Sequence, residues 1–217
     1  MNQKSSRQTY DAVAIIYDSS RFSTIRGRFF RILRSRILER LALEFPPSGK
    51  VFDLACGTGL ISAWLIKKNY QTTSGDLSRG MIEIAKNNLD GSGSLDGFLQ
   101  LDATRIPIKS KAFDIVTSFR FLNLMSPEDR VRIHKEVSRI CKQYYLITYA
   151  LGGPYQRFRG KVKAILGISL GEGADLYPAT IEEIRNELAQ AGIEMISAYP
   201  VCSLLTSEII VLGKIKA

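Results

Sequence analysis

From residue 51 onward the chain alternates short apolar or β-branched runs with amphipathic helical stretches, and this alternation constrains the fold more than any other feature. Strands are predicted over 51–54, 71–74, 97–101, 114–118 and 144–149, and helices over 60–68, 78–88 and 127–141. Strands joined by helices need crossover connections, so the expected fold is α/β: a doubly wound, mostly parallel sheet with helices on both faces. A helix over 180–191 follows, then strands over 193–199 and 204–212, separated only by Pro200, Val201, Cys202 and Ser203. Too short for a crossover, that connection predicts a closing antiparallel hairpin.

Ahead of the alternation, residues 24–45 read as an amphipathic helix with Phe29, Leu33, Ile37 and Leu41 on one stripe and arginines over much of the rest. Pro46, Pro47 and Gly49 end it. With 217 residues, 45% of them hydrophobic, the chain has material for one core, and a single domain is expected. No apolar run approaches the roughly 20 residues that cross a bilayer. Because the first 20 residues lack the apolar stretch of a secretory signal, a cytoplasmic protein is expected.

Three cysteines (Cys56, Cys141, Cys202) form no CxxC pair, and His134 is the one histidine, so neither a disulfide framework nor a metal site is expected. His134 falls in a helical pattern and reads as a surface or half-buried residue. The net charge of +9 is concentrated at the front: residues 1–50 carry ten Lys and Arg against four Asp and Glu, the remainder twenty against seventeen. A second basic stretch, 138–171, holds Arg139, Lys142, Arg157, Arg159, Lys161 and Lys163 and contains no acid. Such patches attract nucleic acid, acidic lipid or an anionic small molecule, or are simply solvated faces.

The chemistry concentrates at strand ends. Asp53-Leu54-Ala55-Cys56-Gly57-Thr58-Gly59 closes the first strand and runs directly into a helix. Glycines there permit a tight turn and close approach to a ligand, and the helix N-terminus adds a positive dipole end. The position where a dinucleotide fingerprint wants its third glycine is Ser62. After the second strand, Asp76 stands 19 residues beyond Gly57, where a carboxylate can accept two ribose hydroxyls; the plainer reading is a helix start with Ser78 as N-cap. Asp102 ends the third strand, so three carboxylates share one crevice.

With these residues in view, the sequence resembles the class I S-adenosylmethionine-dependent methyltransferases, which have a Rossmann-like fold, and in particular their small-molecule and quinone or lipid branch. VFDLACGTG resembles the first motif, SGDLSRGMIEIA the ribose segment, LDATRIP the adenine segment and FDIVTSFRFLNLM the fourth strand with its loop. The resemblance runs from Tyr10 to about Tyr149 and continues more loosely from Thr180. It departs at Ala55, where the family has a glycine. It implies a transferase that binds S-adenosyl-L-methionine and releases S-adenosyl-L-homocysteine. By the same resemblance Asp53, Ala55, Gly57, Thr58 and Gly59 surround the methionine moiety, Asp76 and Leu77 hold ribose and flank adenine, and Asp102 meets the adenine amine. Ala103 offers a backbone amide, and Ser118 joins the cofactor-binding set. Tyr17 is a lid residue or an ordinary packing residue. The chain then divides into an N-terminal helical lid (1–48), a cofactor-binding core (49–150), a substrate cap (151–178) and a closing helix with its strand pair (179–217).

Ser118-Phe119-Arg120-Phe121 replaces the polar-Pro-Pro-aromatic clamp of amino-methylating nucleic-acid enzymes, and no Pro-Cys nucleophile is present, so a small or amphipathic acceptor is expected, and the basic half of 151–178 would suit an anionic head on it. Arg120 and Asn123 are the catalytic candidates, as groups that orient the acceptor; Arg120 reads equally as an ion-pair partner. Cys56 reads as a small packing residue. Residues 151–178 join a basic half to an apolar half, which suits an amphipathic acceptor, contact with an anionic membrane surface, or a surface helix on the sheet. The alternative function is RNA methylation through the N-terminal and 157–163 patches.

Overall fold

The computed structural model describes residues 25–153, 177–203 and 206–216. Helix α1 (Ile25–Leu41) ends in a 3-10 turn (Ala42–Glu44) ahead of β1 (Lys50–Leu54). There follow α2 (Leu60–Lys67), β2 (Gln71–Asp76), α3 (Arg79–Asn88), β3 (Leu95–Gln100), β4 (Phe113–Ser118), a 3-10 turn (Leu122–Leu124), α4 (Pro127–Ile140) and β5 (Cys141–Ala150). The last elements are α5 (Ile181–Gln190), β6 (Ile193–Pro200) and β7 (Glu208–Ile215). Among the described residues the strands form one seven-stranded sheet in the order β3-β2-β1-β4-β5-β7-β6. The first five strands pair in parallel, while β7 is antiparallel to both β5 and β6. The expected α/β architecture and closing hairpin are therefore present.

Side chains alternate across β1 as a sheet covered on both faces requires. Phe52 and Leu54 enter the cluster beneath α4 and α5, with Ile133, Val137, Ile184 and Leu188. Val51 enters the opposite cluster, with Leu65 of α2 and Leu38 and Leu41 of α1. Local chemistry sets the helix starts. Ser126 accepts from the Asp129 N–H with Pro127 in the first turn, and Thr180 and Glu183 form a reciprocal capping box.

Several expectations are corrected. The core-facing stripe of α1 is the buried Leu38 and Leu41 with the partly buried Phe30, Leu33 and Ile37; Phe29 is 45% exposed, because the sheet lies one residue around the helix from the stripe read in the sequence. The helix tightens at Leu41, where Pro46 stands five residues ahead, rather than running to 45. β7 begins at Glu208 and runs to Ile215, its register fixed by pairing of Glu208 with Ala150 and of Ile215 with Ile193. His134 is fully buried, not half-buried. The described part of the basic stretch is neutralised from outside it: Arg139 bonds Glu136 and Lys142 bonds Asp114.

Candidate active site

The chain turns at the C-terminal end of β1 through three left-handed residues, Ala55 (φ 59°), Gly57 (φ 54°) and Gly59 (φ 86°). Ala55 stands at a position whose conformation favours glycine, which gives the departure noted above a physical meaning. A Cβ on Gly59 would press on Ala85 and Leu89 at 3.1–3.2 Å, so this residue lets α3 pack on the turn. A Cβ on Gly57 would meet nothing within 4 Å. Gly57 faces the open space of a cavity of about 220 Å³.

The strand-end carboxylates meet at this cavity, each already tied into the fold. Asp76 accepts from the Gly57 N–H at 2.8 Å through one oxygen and from the Ser78 N–H at 2.9 Å through the other, so it clasps the glycine turn to the start of α3. Ser78 also caps α3, accepting from the Met81 N–H, as the plainer reading of this segment expects. Asp102 accepts from Thr104 N–H and Oγ1 through one oxygen. Asp53 is 1% exposed and accepts from Ser62 Oγ at 2.6 Å and Thr117 Oγ1 at 2.8 Å. Burial outweighs these bonds and raises its carboxyl to about pKa 6. Ser62, in the third-glycine position, thus ties α2 to β1, and its hydroxyl also meets Ser74 Oγ on β2.

Of the predicted site residues, Asp53, Ala55, Gly57, Thr58, Asp76, Leu77, Asp102, Ala103 and Arg120 all line the cavity. Gly59 is set back at the N-cap of α2. Ser118 is buried with its hydroxyl unpaired and is not part of the lining. Asn123 does not line the cavity either; its carbonyl accepts from the N–H of Tyr177, which does. Tyr17 lies outside the described residues, as does nearly all of the 151–178 cap, including the 157–163 patch. At the described flanks of that segment, Leu151 bridges Ala179 and Tyr177 lines the cavity. Cys56 is buried and its thiol pKa is pushed well up by burial and by Asp53 and Asp76, which agrees with a packing role.

Besides Arg120, singled out from the sequence, the cavity has an apolar part of its lining that sequence reasoning missed: Ile61, Phe119, Phe121, Leu124 and Met125, with Arg34 of α1 and Tyr177. Arg34 is held by a two-pronged pair with Glu208 at 2.6 and 2.9 Å. Arg120 has a left-handed backbone (φ 57°), and its N–H donates to Thr148 Oγ1 at 2.6 Å. The S-P-E-D start of α4, which places Ser126 and Asp129 on the lining, is a further local signal.

Behind this lining lies a buried polar chain. Arg130 (2% exposed) pairs with Glu187 at 2.6 Å, Tyr149 donates to Glu187 at 3.0 Å, and His134 Nε2 meets Tyr149 Oη at 2.6 Å. With the tyrosine proton given to Glu187, His134 is the neutral Nε2–H tautomer. Burial and the nearby Arg130 charge lower its pKa to about 3. Arg130 also donates to the carbonyl of Tyr177 at 2.8 Å, which joins the chain to the cavity rim.

Residues 51–144 match the methyltransferase domain family model. The chain is 30% identical over 138 residues to a demethylmenaquinone methyltransferase of Clavibacter sepedonicus, covering 60% of this chain and 54% of the relative. It is 40% identical over 100 residues to the ubiquinone/menaquinone biosynthesis C-methyltransferase UbiE of Desulfotalea psychrophila, covering 45% and 39%. The chain thus spans about half the length or less of these two relatives. In structure it resembles the magnesium protoporphyrin IX methyltransferase of Synechocystis PCC 6803, crystallised with bound SAH, at a TM-score of 0.75 and 15% identity over 99% of both chains. The fold is the Rossmann-like arrangement seen in such methyltransferases. Residues 51–144 thus carry a match to the methyltransferase domain family, and the whole fold is similar to that of a methyltransferase.

Proposed function

We propose that this protein transfers a methyl group from S-adenosyl-L-methionine to a small amphipathic acceptor that carries an anionic or ionisable group. The observation that carries the reading is the cavity itself, lined by the Asp53, Asp76 and Asp102 strand ends and the open-faced Gly57 together with apolar side chains, Arg34 and Arg120.

The residues fit the cofactor. Gly57 leaves free the volume a side chain would fill, and Asp76 is a carboxylate fixed by two backbone amides at the edge of that volume. In this reading Asp53, Ala55, Gly57 and Thr58 hold the methionine moiety, Asp76 with Leu77 the ribose, and Asp102 with Ala103 the adenine. When bound, S-adenosylmethionine supplies a methyl group on a sulfonium centre that departs as a neutral thioether.

The chain's own residues then have two tasks. The Phe119, Phe121, Leu124 and Met125 wall excludes water from the acceptor, and Arg120 orients it; displacement at a sulfonium methyl rests mainly on proximity and a dry site. Asn123 acts at one remove, through its carbonyl bond to the Tyr177 N–H. The relatives' names, a demethylmenaquinone and a magnesium protoporphyrin IX methyltransferase, support a ring-bearing acceptor of this kind.

Two measurements test the reading. Incubating cell extract with the protein and isotopically labelled methyl donor, with mass spectrometry as readout, should reveal a labelled small molecule. Calorimetry should show S-adenosylhomocysteine binding weakened about tenfold or more by Asp76→Ala, since losing a charged acceptor costs roughly 1.5–3 kcal/mol. Label appearing only in RNA would overturn the acceptor class, and unchanged affinity would overturn the role of Asp76.

A further inference from the structure

Among the described residues, helix α1 has a second face that neither the core nor the cavity uses. Its buried side packs on the sheet through Leu38 and Leu41, and Arg34 reaches the cavity. The outward side carries Arg28, Arg31 and Arg36, all exposed, with Phe29 (45% exposed) and Ile32 (52% exposed) set among them. Arg28, Ile32 and Arg36 are spaced by four, so they follow one line along the helix, and Phe29 and Arg31 flank it. Glu39 is the only carboxylate on α1, and it is bonded to Lys68 and Trp64. Among the described residues the three arginines have no carboxylate partner.

We propose that this face of α1 is a docking surface for an anionic lipid bilayer. Three guanidinium groups with no carboxylate partner among the described residues favour a negative surface, and arginine stems can lie along acyl chains while their heads stay at phosphate level. Charge alone fits a nucleic acid equally well. Phe29 and Ile32 decide between them: a bilayer interface takes up an aromatic ring and a branched aliphatic chain, while a phosphate backbone gives an exposed isoleucine nothing to bury against. A second copy of the chain fits less well, because a two-fold contact through this face would bring six arginines together. The proposal holds whatever the cavity methylates.

Flotation of the full chain with vesicles tests it. Binding should be strong to phosphatidylcholine vesicles carrying phosphatidylglycerol at about one lipid in four, and weak to phosphatidylcholine alone. Replacing Arg28, Arg31 and Arg36 together by Gln should weaken binding to the anionic vesicles by roughly a hundredfold, at about fivefold per arginine. Phe29→Ser with Ile32→Ser should weaken it also, at unchanged charge. Thermal midpoints within a few degrees of the parent's would show that both variants fold; if one does not, the single change Ile32→Ser takes its place. Absence of vesicle binding, or binding indifferent to both sets of changes, would overturn the proposal. So would RNA binding that is lost with the arginines while vesicles are ignored, or a dimer in solution that the apolar variant dissolves.

Discussion

Asp53 on β1 and Thr117 on β4 are register partners in the sheet, and the threonine hydroxyl donates to the carboxylate at 2.8 Å in a fully buried pair. Two neighbouring strands are thus joined by side chains as well as backbone, directly beneath the glycine turn. Burial raises the Asp53 carboxyl to about pKa 6, so the folded protein holds this proton where the unfolded chain releases it near pKa 4. Its contribution to stability is therefore present at low pH and is lost as pH rises from about 4 to 6, by about 3 kcal/mol. Urea unfolding of Asp53→Asn against the parent across this range should show the difference between them shifting in favour of the variant as pH rises. A difference independent of pH would mean that Asp53 ionises normally.

His134 works in the opposite direction. Its folded pKa near 3 lies below the usual 6.5, so the unfolded chain takes up the proton first, and stability falls as pH drops from about 6.5 toward 3. The histidine ring signals in an NMR titration should stay in the neutral form down to pH 5 in the folded protein. Signals moving with a midpoint near 6.5 would show that the ring reaches water.

Ala55 holds a left-handed backbone that costs a residue with a Cβ about 1–2 kcal/mol. Ala55→Gly should therefore raise stability, by about 1 kcal/mol after the extra chain entropy of glycine, or roughly 2–4 °C in Tm. Scanning calorimetry checks this; a lower Tm would indicate that the methyl group has packing worth more than the strain.

The Arg130–Glu187 pair is buried at both ends. Glu187→Gln leaves a guanidinium in the interior without its counter-charge and should cost about 3–5 kcal/mol in a denaturant melt. Arg130→Met combined with Glu187→Leu should recover much of that loss. A single variant as stable as the parent would show that water reaches this pair.

The order of elements and the glycine and carboxylate wall were legible in the sequence because they depend on local features: hydrophobic period, caps, and residues placed at strand ends. Of the rest of the lining, Arg120 was legible and Arg34 was not. Arg34 and Glu208 are 174 residues apart and meet only because β7 inserts beside β5, and nothing near either residue signals that pairing. His134 illustrates the same limit. On its helix it is one polar residue among charged ones, and its burial follows from Tyr149 and Glu187, which other elements supply. The error at Phe29 was one of phase: a stripe of 29, 33, 37 and 41 and a stripe of 30, 33, 37 and 41 share three members, and the position of the sheet chooses between them.

In β7, chain order and spatial order part company. It follows β6 along the chain yet is seated between β6 and β5, with Ile209, Ile210, Val211 and Leu212 buried on both faces. During synthesis β5 and β6 must wait with bare edges and uncovered apolar rows until the ribosome delivers the strand that fits between them. Bare edges of that kind invite pairing with other chains. For this protein, the interval before β7 emerges is when a nascent chain most needs a chaperone.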